Sequence, residues 1–274
     1  MSILVLLVPP RARLRAGVEP QPQPAPVEWR YVLSSDGRSA TRQGSAAPSL
    51  LPRASSVVAV LADADVGWHR ITLPRAPAKR LRAALVGVLE DALLEDAETM
   101  HFALAPDARA GEPAWVAVVQ RPWLQAQLAT LEAAGLTVER VLPSAAPATG
   151  ADAFGHFSLA QAQGDGDAAL RLVHGDADGI TLLDTQGTLA RSLVARWSEQ
   201  APLRWSASPA ASSAAEAWLG APVAALTDEE RALAAAASRW NLRQFELAPR
   251  LRGVRALREA WQRLLQPQWR PVRY

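Results

Sequence analysis

His69, His101, His156 and His174 are the only imidazoles, and no two sit close enough in sequence to grip one metal ion from a single helix face. A zinc site needs three or four convergent ligands, so we expect four isolated histidines in the core or at strand ends. Three carboxylate pairs occur, Asp63/Asp65, Asp165/Asp167 and Asp176/Asp178. On an extended strand residues i and i+2 share a face, and such a pair could hold magnesium or work as acid and base. All three lie beside Gly or Ala, where aspartate caps its own backbone, and we read them as turns. No G-x-S-x-G elbow presents a serine nucleophile. The absence of cysteine removes thiolate chemistry, disulfides and cysteine-ligated zinc. Neither G-x-x-x-x-G-K nor G-x-G-x-x-G is present. Asp184-Thr-Gln-Gly-Thr188 could cradle a phosphate with its backbone N–H groups. Its partner loop should follow the first strand, which instead runs into Pro9-Pro-Arg-Ala-Arg13. We therefore expect no catalytic residue, no metal and no cofactor: a non-enzyme.

Charge is the stronger signal. Glu90, Asp91, Glu95, Asp96 and Glu98 gather near the expected end of a helix. Carboxylates there oppose the helix dipole at about 0.3–1 kcal/mol each, so local stability does not select them. Two readings are open, a solvated helix end or a docking patch for a basic partner. At the other end, residues 239–274 hold nine arginines and two glutamates, while residues 1–238 are net acidic. Val254, Leu257, Trp261, Leu264 and Leu265 share one helical face there. Arg252, Arg255, Arg258 and Arg263 surround it, and Trp269, Arg270, Arg273 and Tyr274 follow. Basic residues beside amphipathic rings suit the approach to a lipid surface. Nucleic-acid phosphates or packing back on the same domain are the alternatives. The membrane stem is the working expectation, with no nucleic-acid partner.

These groups need elements to hold them. Short apolar or alternating runs at Val27–Leu33, Val57–Leu61 and Trp68–Leu73 read as strands. A helix is expected over about Pro77–Asp96, where Leu81, Leu85, Val88, Leu89 and Ala92 form one stripe. Strands at Met100–Leu104, Trp115–Val119 and Thr137–Leu142 flank a helix Pro122–Ala134 closed by Gly135. Pro143–Gly150 reads as a hinge. Beyond it, strands are expected at Ala153–Leu159, Leu170–Val173, Ile180–Leu183 and Thr188–Val194, then helices at Ser213–Leu219 and Asp228–Arg239. Thr227 with Glu230 forms a capping-box signature for the last helix. Strands alternating with helices imply an α/β protein of two lobes.

At 274 residues, 49% apolar and 20% charged, the chain can bury a large core. A net charge of +2, with 28 of 29 basic residues arginine, conceals the polar asymmetry of its two ends. The start, Met1-Ser-Ile-Leu-Val-Leu-Leu-Val8, is too short and has its arginines on the wrong side for a secretory signal. We read it as a buried first strand. Six prolines in residues 9–26 make that stretch an exposed loop. Nowhere do 18 apolar residues run together.

Ile71-Thr-Leu-Pro74, the helix stretch Leu81–Asp96 and Met100-His-Phe-Ala-Leu104 resemble, in that order, the type II secretion system protein L family. Ala117-Val-Val119, Ala134-Gly-Leu136, Leu142-Pro143 and Trp240-Asn-Leu-Arg-Gln-Phe-Glu-Leu-Ala-Pro-Arg250 continue the resemblance. It implies a two-lobed actin-like (ribonuclease H-related) α/β fold with mixed sheets and a degenerate nucleotide site. The lobes are expected at 1–148 and 149–245, with a basic juxtamembrane stem at 246–274. The resemblance further implies an adaptor on the cytoplasmic face of the bacterial inner membrane, a transmembrane helix just after Tyr274, and a homodimer in the full-length protein. Implied partners are the N-terminal domain of the secretion ATPase (protein E), protein M and the membrane surface. An actin-like ATP binder similar to type IV pilus protein M is the alternative. By analogy with that protein, Asn241, Leu242 and Phe245 are expected to tuck into their own domain.

Overall fold

A computed structural model describes residues 2–12, 28–148, 152–160, 169–200 and 202–249. The first strand, β1 (Ile3–Leu7), is an unbroken apolar run buried on both faces, as a central strand covered on each side requires. Leu4 and Leu6 face one core and Val5 the other. β2 (Trp29–Ser34) and β3 (Arg42–Ala46) add antiparallel on one side of β1, while β4 (Ser56–Leu61) adds parallel on the other.

Before the sheet is completed, the chain builds a separate layer. β5 (Gly67–Thr72), α1 (Ala78–Leu89), β6 (Met100–Leu104), β7 (Pro113–Gln120) and α2 (Arg121–Ala133) follow, with the strands forming an antiparallel sheet of order β5-β7-β6. Leu85 and Leu89 of α1 bury against Phe102, Val116 and Val118 of that sheet. β8 (Arg140–Pro143) then joins β4 in parallel, giving the order β3-β2-β1-β4-β8.

The second half repeats the logic. β9 (Phe154–Ala160), β10 (Ala169–Asp176), β11 (Gly179–Asp184), α3 (Thr188–Gln200), β12 (Arg204–Ala207), α4 (Ser212–Leu219) and β13 (Ala224–Ala225) give the sheet order β11-β10-β9-β12-β13. Its first strand is again central, antiparallel to the second and parallel to the fourth. Two sheets with one strand order and one pattern of directions are the duplicated architecture of an actin-like α/β fold. The last helix, α5 (Asp228–Ala237), opens with the full Thr227–Glu230 capping box. It lays Ala232, Leu233, Ala235 and Ala236 over Val5, Val32, Val58, Val60 and Leu142 of the first sheet.

Several expectations need correction. α1 stops at Leu89 instead of running to Asp96; Glu90–Ala92 tightens into a 3-10 turn and Leu93 is extended. The carboxylates Glu90 and Asp91 would oppose the dipole of a longer helix. Thr188–Val194 is not a strand but the first half of α3, whose buried stripe of Ala190, Val194 and Trp197 continues past it. Asp184-Thr-Gln-Gly187 consequently joins a strand to a helix, with Gly187 at φ +85°. The strand expected at Thr137–Leu142 begins at Arg140. The turn at 164–167 with Asp165 and Asp167, and most of the proline-rich segment 9–26, lie outside the described residues.

Candidate docking site

The acidic segment runs from the end of α1 to the start of β6. Leu89 and Ala97 anchor it in the core, but between them Leu94 is fully exposed at 106%, and Val88, just before Leu89, is 48% exposed. Water thus meets apolar side chains in a segment whose sequence neighbours are carboxylates. Three of the five carboxylates have structural work. Glu95 pairs with Arg11 at 2.9 Å, and Glu98 pairs with Arg82 of α1 at 3.2 Å. Asp96 accepts the Glu98 backbone N–H at 2.9 Å and caps the short 3-10 turn Ala97–Thr99. Glu90 and Asp91 are exposed at the end of α1. The geometry presents a leucine flanked by anions on a pinned loop, which suits a basic, partly apolar partner surface.

Beside this face lies the strap formed by residues 238–249. Leu242 is fully buried and Trp240 nearly so, the latter edge-on to Trp68 with ring centroids 4.9 Å apart. Asn241 Oδ1 accepts the N–H groups of Val141 (3.3 Å) and Arg243 (3.0 Å), and Leu242 N–H donates to Val141 O at 2.7 Å. Gln244 closes the open edge of β6, accepting from Leu104 N–H at 3.0 Å and donating to Leu104 O at 2.9 Å. Phe245 takes φ +48° and packs into the core under α1. Arg140 donates to the carbonyls of Ala236 (3.1 Å), Ser238 and Trp240 (2.8 Å). His101 is buried, with Nε2 2.6 Å from Leu242 O and Nδ1 3.3 Å from Glu246. Burial pushes the His101 pKa down against the pull of these two acceptors. Nε2 carries a proton toward the Leu242 carbonyl, which can only accept. Burial alone would raise the Glu246 carboxyl, but its own backbone N–H, His101 and Arg82 outweigh that and hold it low.

The cleft between the lobes is spoken for internally. Asp63, which follows β4, accepts from Ser144 and pairs with Arg231 of α5 at 3.0 Å, both partners being largely buried. His156 stands close by with Nδ1 3.0 Å from Ser206 Oγ, and burial together with the Arg231 charge pushes its pKa down to about 4. Asp176 Oδ1 accepts the Asp178 N–H at 2.8 Å, an Asx turn as expected. Asp184 pairs with Arg171 at 3.1 Å. His174 stacks on Trp197 at 3.7 Å between ring centroids. Among the described residues no group of three or more metal-ligating side chains converges, and no helix is long and apolar enough to cross a membrane.

Glu90, Asp91, Glu95, Asp96 and Glu98 are all exposed between the end of α1 and the start of β6, and Asn241, Leu242 and Phe245 contact β8, the first core and the core under α1. Arg252, Arg255, Arg258, Trp261, Arg263, Trp269, Arg270, Arg273 and Tyr274 lie outside the described residues. Sequence reasoning missed Leu94, Arg82 and Arg140. Leu94 was legible as an apolar residue off the Leu85/Leu89 stripe. The two arginines carry no local signal, because their partners are distant in sequence.

Residues 19–149 match the family model of type II secretion system protein L. Type II secretion system protein L of Pectobacterium carotovorum subsp. carotovorum is 32% identical over 126 residues, 43% of this chain and 29% of that protein. Its namesake in Vibrio cholerae serotype O1 is 39% identical over 88 residues, 32% of this chain and 21% of that protein. The chain therefore spans less than a third of the length of these curated relatives. The solved cytoplasmic domain of EpsL, an inner membrane component of the type II secretion system of Vibrio cholerae, superposes with a TM-score of 0.57 at 21% identity. That match covers 90% of this chain and 100% of the other, and it speaks for a common fold. Over residues 19–149 this chain is similar in sequence to type II secretion system protein L, and it shares the fold of the EpsL cytoplasmic domain.

Proposed function

We propose that this chain is a non-enzymatic adaptor of the type II secretion inner-membrane platform. Its acidic face receives the N-terminal domain of the secretion ATPase, protein E. The observation that carries the reading is Leu94, wholly exposed between Glu90/Asp91 and Glu95/Asp96. Covering one leucine is worth about 1.5–3 kcal/mol, enough to anchor an interface whose charges steer and orient the partner. The arginine- and tryptophan-bearing residues 252–274 serve as a stem at the cytoplasmic face of the inner membrane, where protein M and a second copy of the full-length chain are further partners.

Capture of the ATPase N-terminal domain by the Glu90→Lys/Asp91→Lys variant tests this reading. These two carboxylates carry no cap, so the fold should survive while capture falls at least tenfold; unchanged capture would remove the reading. The alternative, an ATP-binding protein similar to pilus protein M, would need a phosphate-cradling loop after the first strand, where the chain instead runs into Pro9 and Pro10. Calorimetric titration with ATP and magnesium decides between the two. A Kd tighter than about 10 μM, near −7 kcal/mol, would favour the ATP binder.

A further inference from the structure

The strap and the acidic segment meet at one carboxylate. Glu246 Oε2 lies 3.5 Å from Arg82 Nε, and Glu246 Oε1 lies 3.6 Å from Arg121 Nη1 and 3.3 Å from His101 Nδ1. The same two guanidinium groups reach across to the acidic segment. Arg82 donates to the carboxylate and to the carbonyl of Glu98, both at 3.2 Å, and Arg121 donates to that carbonyl at 2.6 Å. One planar fork comes from α1 and the other from the first residue of α2. Arg82 Nε is buried and makes no hydrogen bond among the described residues, so the nearby Glu246 charge offsets its desolvation. On the strap side, Phe245 holds a left-handed φ of +48°, uncommon for a residue with a side chain, and packs into the core under α1. Leu247 is buried in the first core, so Glu246 is presented from a backbone fixed on both sides. On the segment side, Glu98 N–H donates to Asp96 Oδ1 and Arg11 holds Glu95.

We propose that Glu246 is a positioning residue that, through Arg82 and Arg121, couples the seating of the strap to the order of the acidic segment 90–99. The inference rests on reading that segment as the dock, and it names what holds the dock in its binding form. With the strap seated, the two forks are drawn to Glu246 and their remaining donors fix Glu98, so the segment is ordered before a partner arrives. Charge acts in the same sense. Neutralising Glu246 leaves Arg82 and Arg121 facing the Glu98 carboxylate alone, an excess positive charge beside the anions that would meet a basic partner. Coupling of this kind is reciprocal: whatever steadies the segment steadies the strap by the same factor, typically about 5–150-fold.

Hydrogen exchange in the full chain reads both sides, with the amides shared by β1 and β4 as the reference for global stability. Asp96→Ala removes the cap of the Ala97–Thr99 turn, and the bonds it breaks lie within the segment. It should nonetheless speed exchange of the strap-bonded amides Leu242 N–H and Leu104 N–H about tenfold. Arg140→Met loosens the strap from the α5 side and should speed Glu98 N–H and Thr99 N–H by the same factor. In a Glu246→Gln background, which keeps the side chain's shape and loses its charge, each perturbation should stay on its own side. Glu246→Gln should also weaken capture of the ATPase N-terminal domain about tenfold, and Glu246→Asp, which keeps the charge, should restore most of it. The bound ATPase domain should slow Leu242 N–H exchange in the parent chain and leave it unchanged in Glu246→Gln. Perturbations that never cross between strap and segment, or that cross equally well in Glu246→Gln, overturn the proposal. If they cross as expected but capture ignores Glu90→Lys/Asp91→Lys, the coupling stands and the dock falls. If that charge reversal abolishes capture while nothing crosses, the dock stands and the coupling falls.

Discussion

Replacing Arg140 by Met should unfasten the strap without touching its residues. The guanidinium spans three carbonyls, of Ala236, Ser238 and Trp240, where α5 gives way to the strap. A hydrogen bond to a charged group is worth about 1.5–3 kcal/mol. Burial, which pushes the Arg140 pKa down, records a desolvation cost that the methionine does not bear. Three bonds less that cost leave a net loss of about 3 kcal/mol. For a chain of this size that corresponds to a drop in melting temperature of roughly 6–12 °C. Hydrogen exchange locates the loss. Leu242 N–H, bonded to Val141 O, and Leu104 N–H, bonded to the Gln244 side chain, should exchange about a hundredfold faster. Amides shared by β1 and β4 should change only with global stability. A lower melting temperature with both strap amides still protected would refute the strap as a separable unit, and no change in either would refute the role of Arg140.

Acid should destabilise the second lobe through His156. Its folded pKa is about 4 against about 6.5 when unfolded, so the unfolded chain takes up a proton that the fold refuses. Stability is complete above pH 6.5 and falls by roughly 3 kcal/mol as the pH drops to 4, so His156→Gln should flatten that limb in pH-dependent melting curves. Thr227→Ala removes the hydroxyl that accepts the Glu230 N–H at 3.1 Å and should cost about 1 kcal/mol in urea denaturation. Leu242→Ala empties a fully buried site and should cost about 2–5 kcal/mol by the same assay, without altering the melting of isolated second-lobe contacts read at Trp197 and Trp218.

Elements whose periodicity is complete within a few residues were legible in the sequence. The unbroken run Ile3–Leu7, the helix closed by Gly135 and the Thr227–Glu230 box all announced themselves. α3 was hidden because Thr188–Val194 is short and carries only Leu189, Ala190, Leu193 and Val194 as apolar residues, and Trp197, one turn further, completes the helical stripe. The end of α1 was overrun because Ala92 continues the apolar spacing while the carboxylates that break the helix act through the dipole. The duplication of the two sheets has no signature in residue identity; it resides in the hydrogen-bonding order, with β1 and β9 each central. At the docking face the charges were visible, but the exposure of Leu94 depended on where α1 stops. The strap was suggested by resemblance, yet its grip comes from partners up to 145 positions away, such as His101 with Glu246.

The most direct measurement is a calorimetric titration of this chain with the N-terminal domain of the secretion ATPase, repeated with Leu94→Ala and with Glu90→Lys/Asp91→Lys. Saturable binding is predicted for the parent chain. Leu94→Ala should weaken it by about 1.5–3 kcal/mol, more than tenfold, and the charge reversal should weaken it while flattening its dependence on salt. Binding of undiminished affinity in both variants would contradict the assignment of the dock to this face.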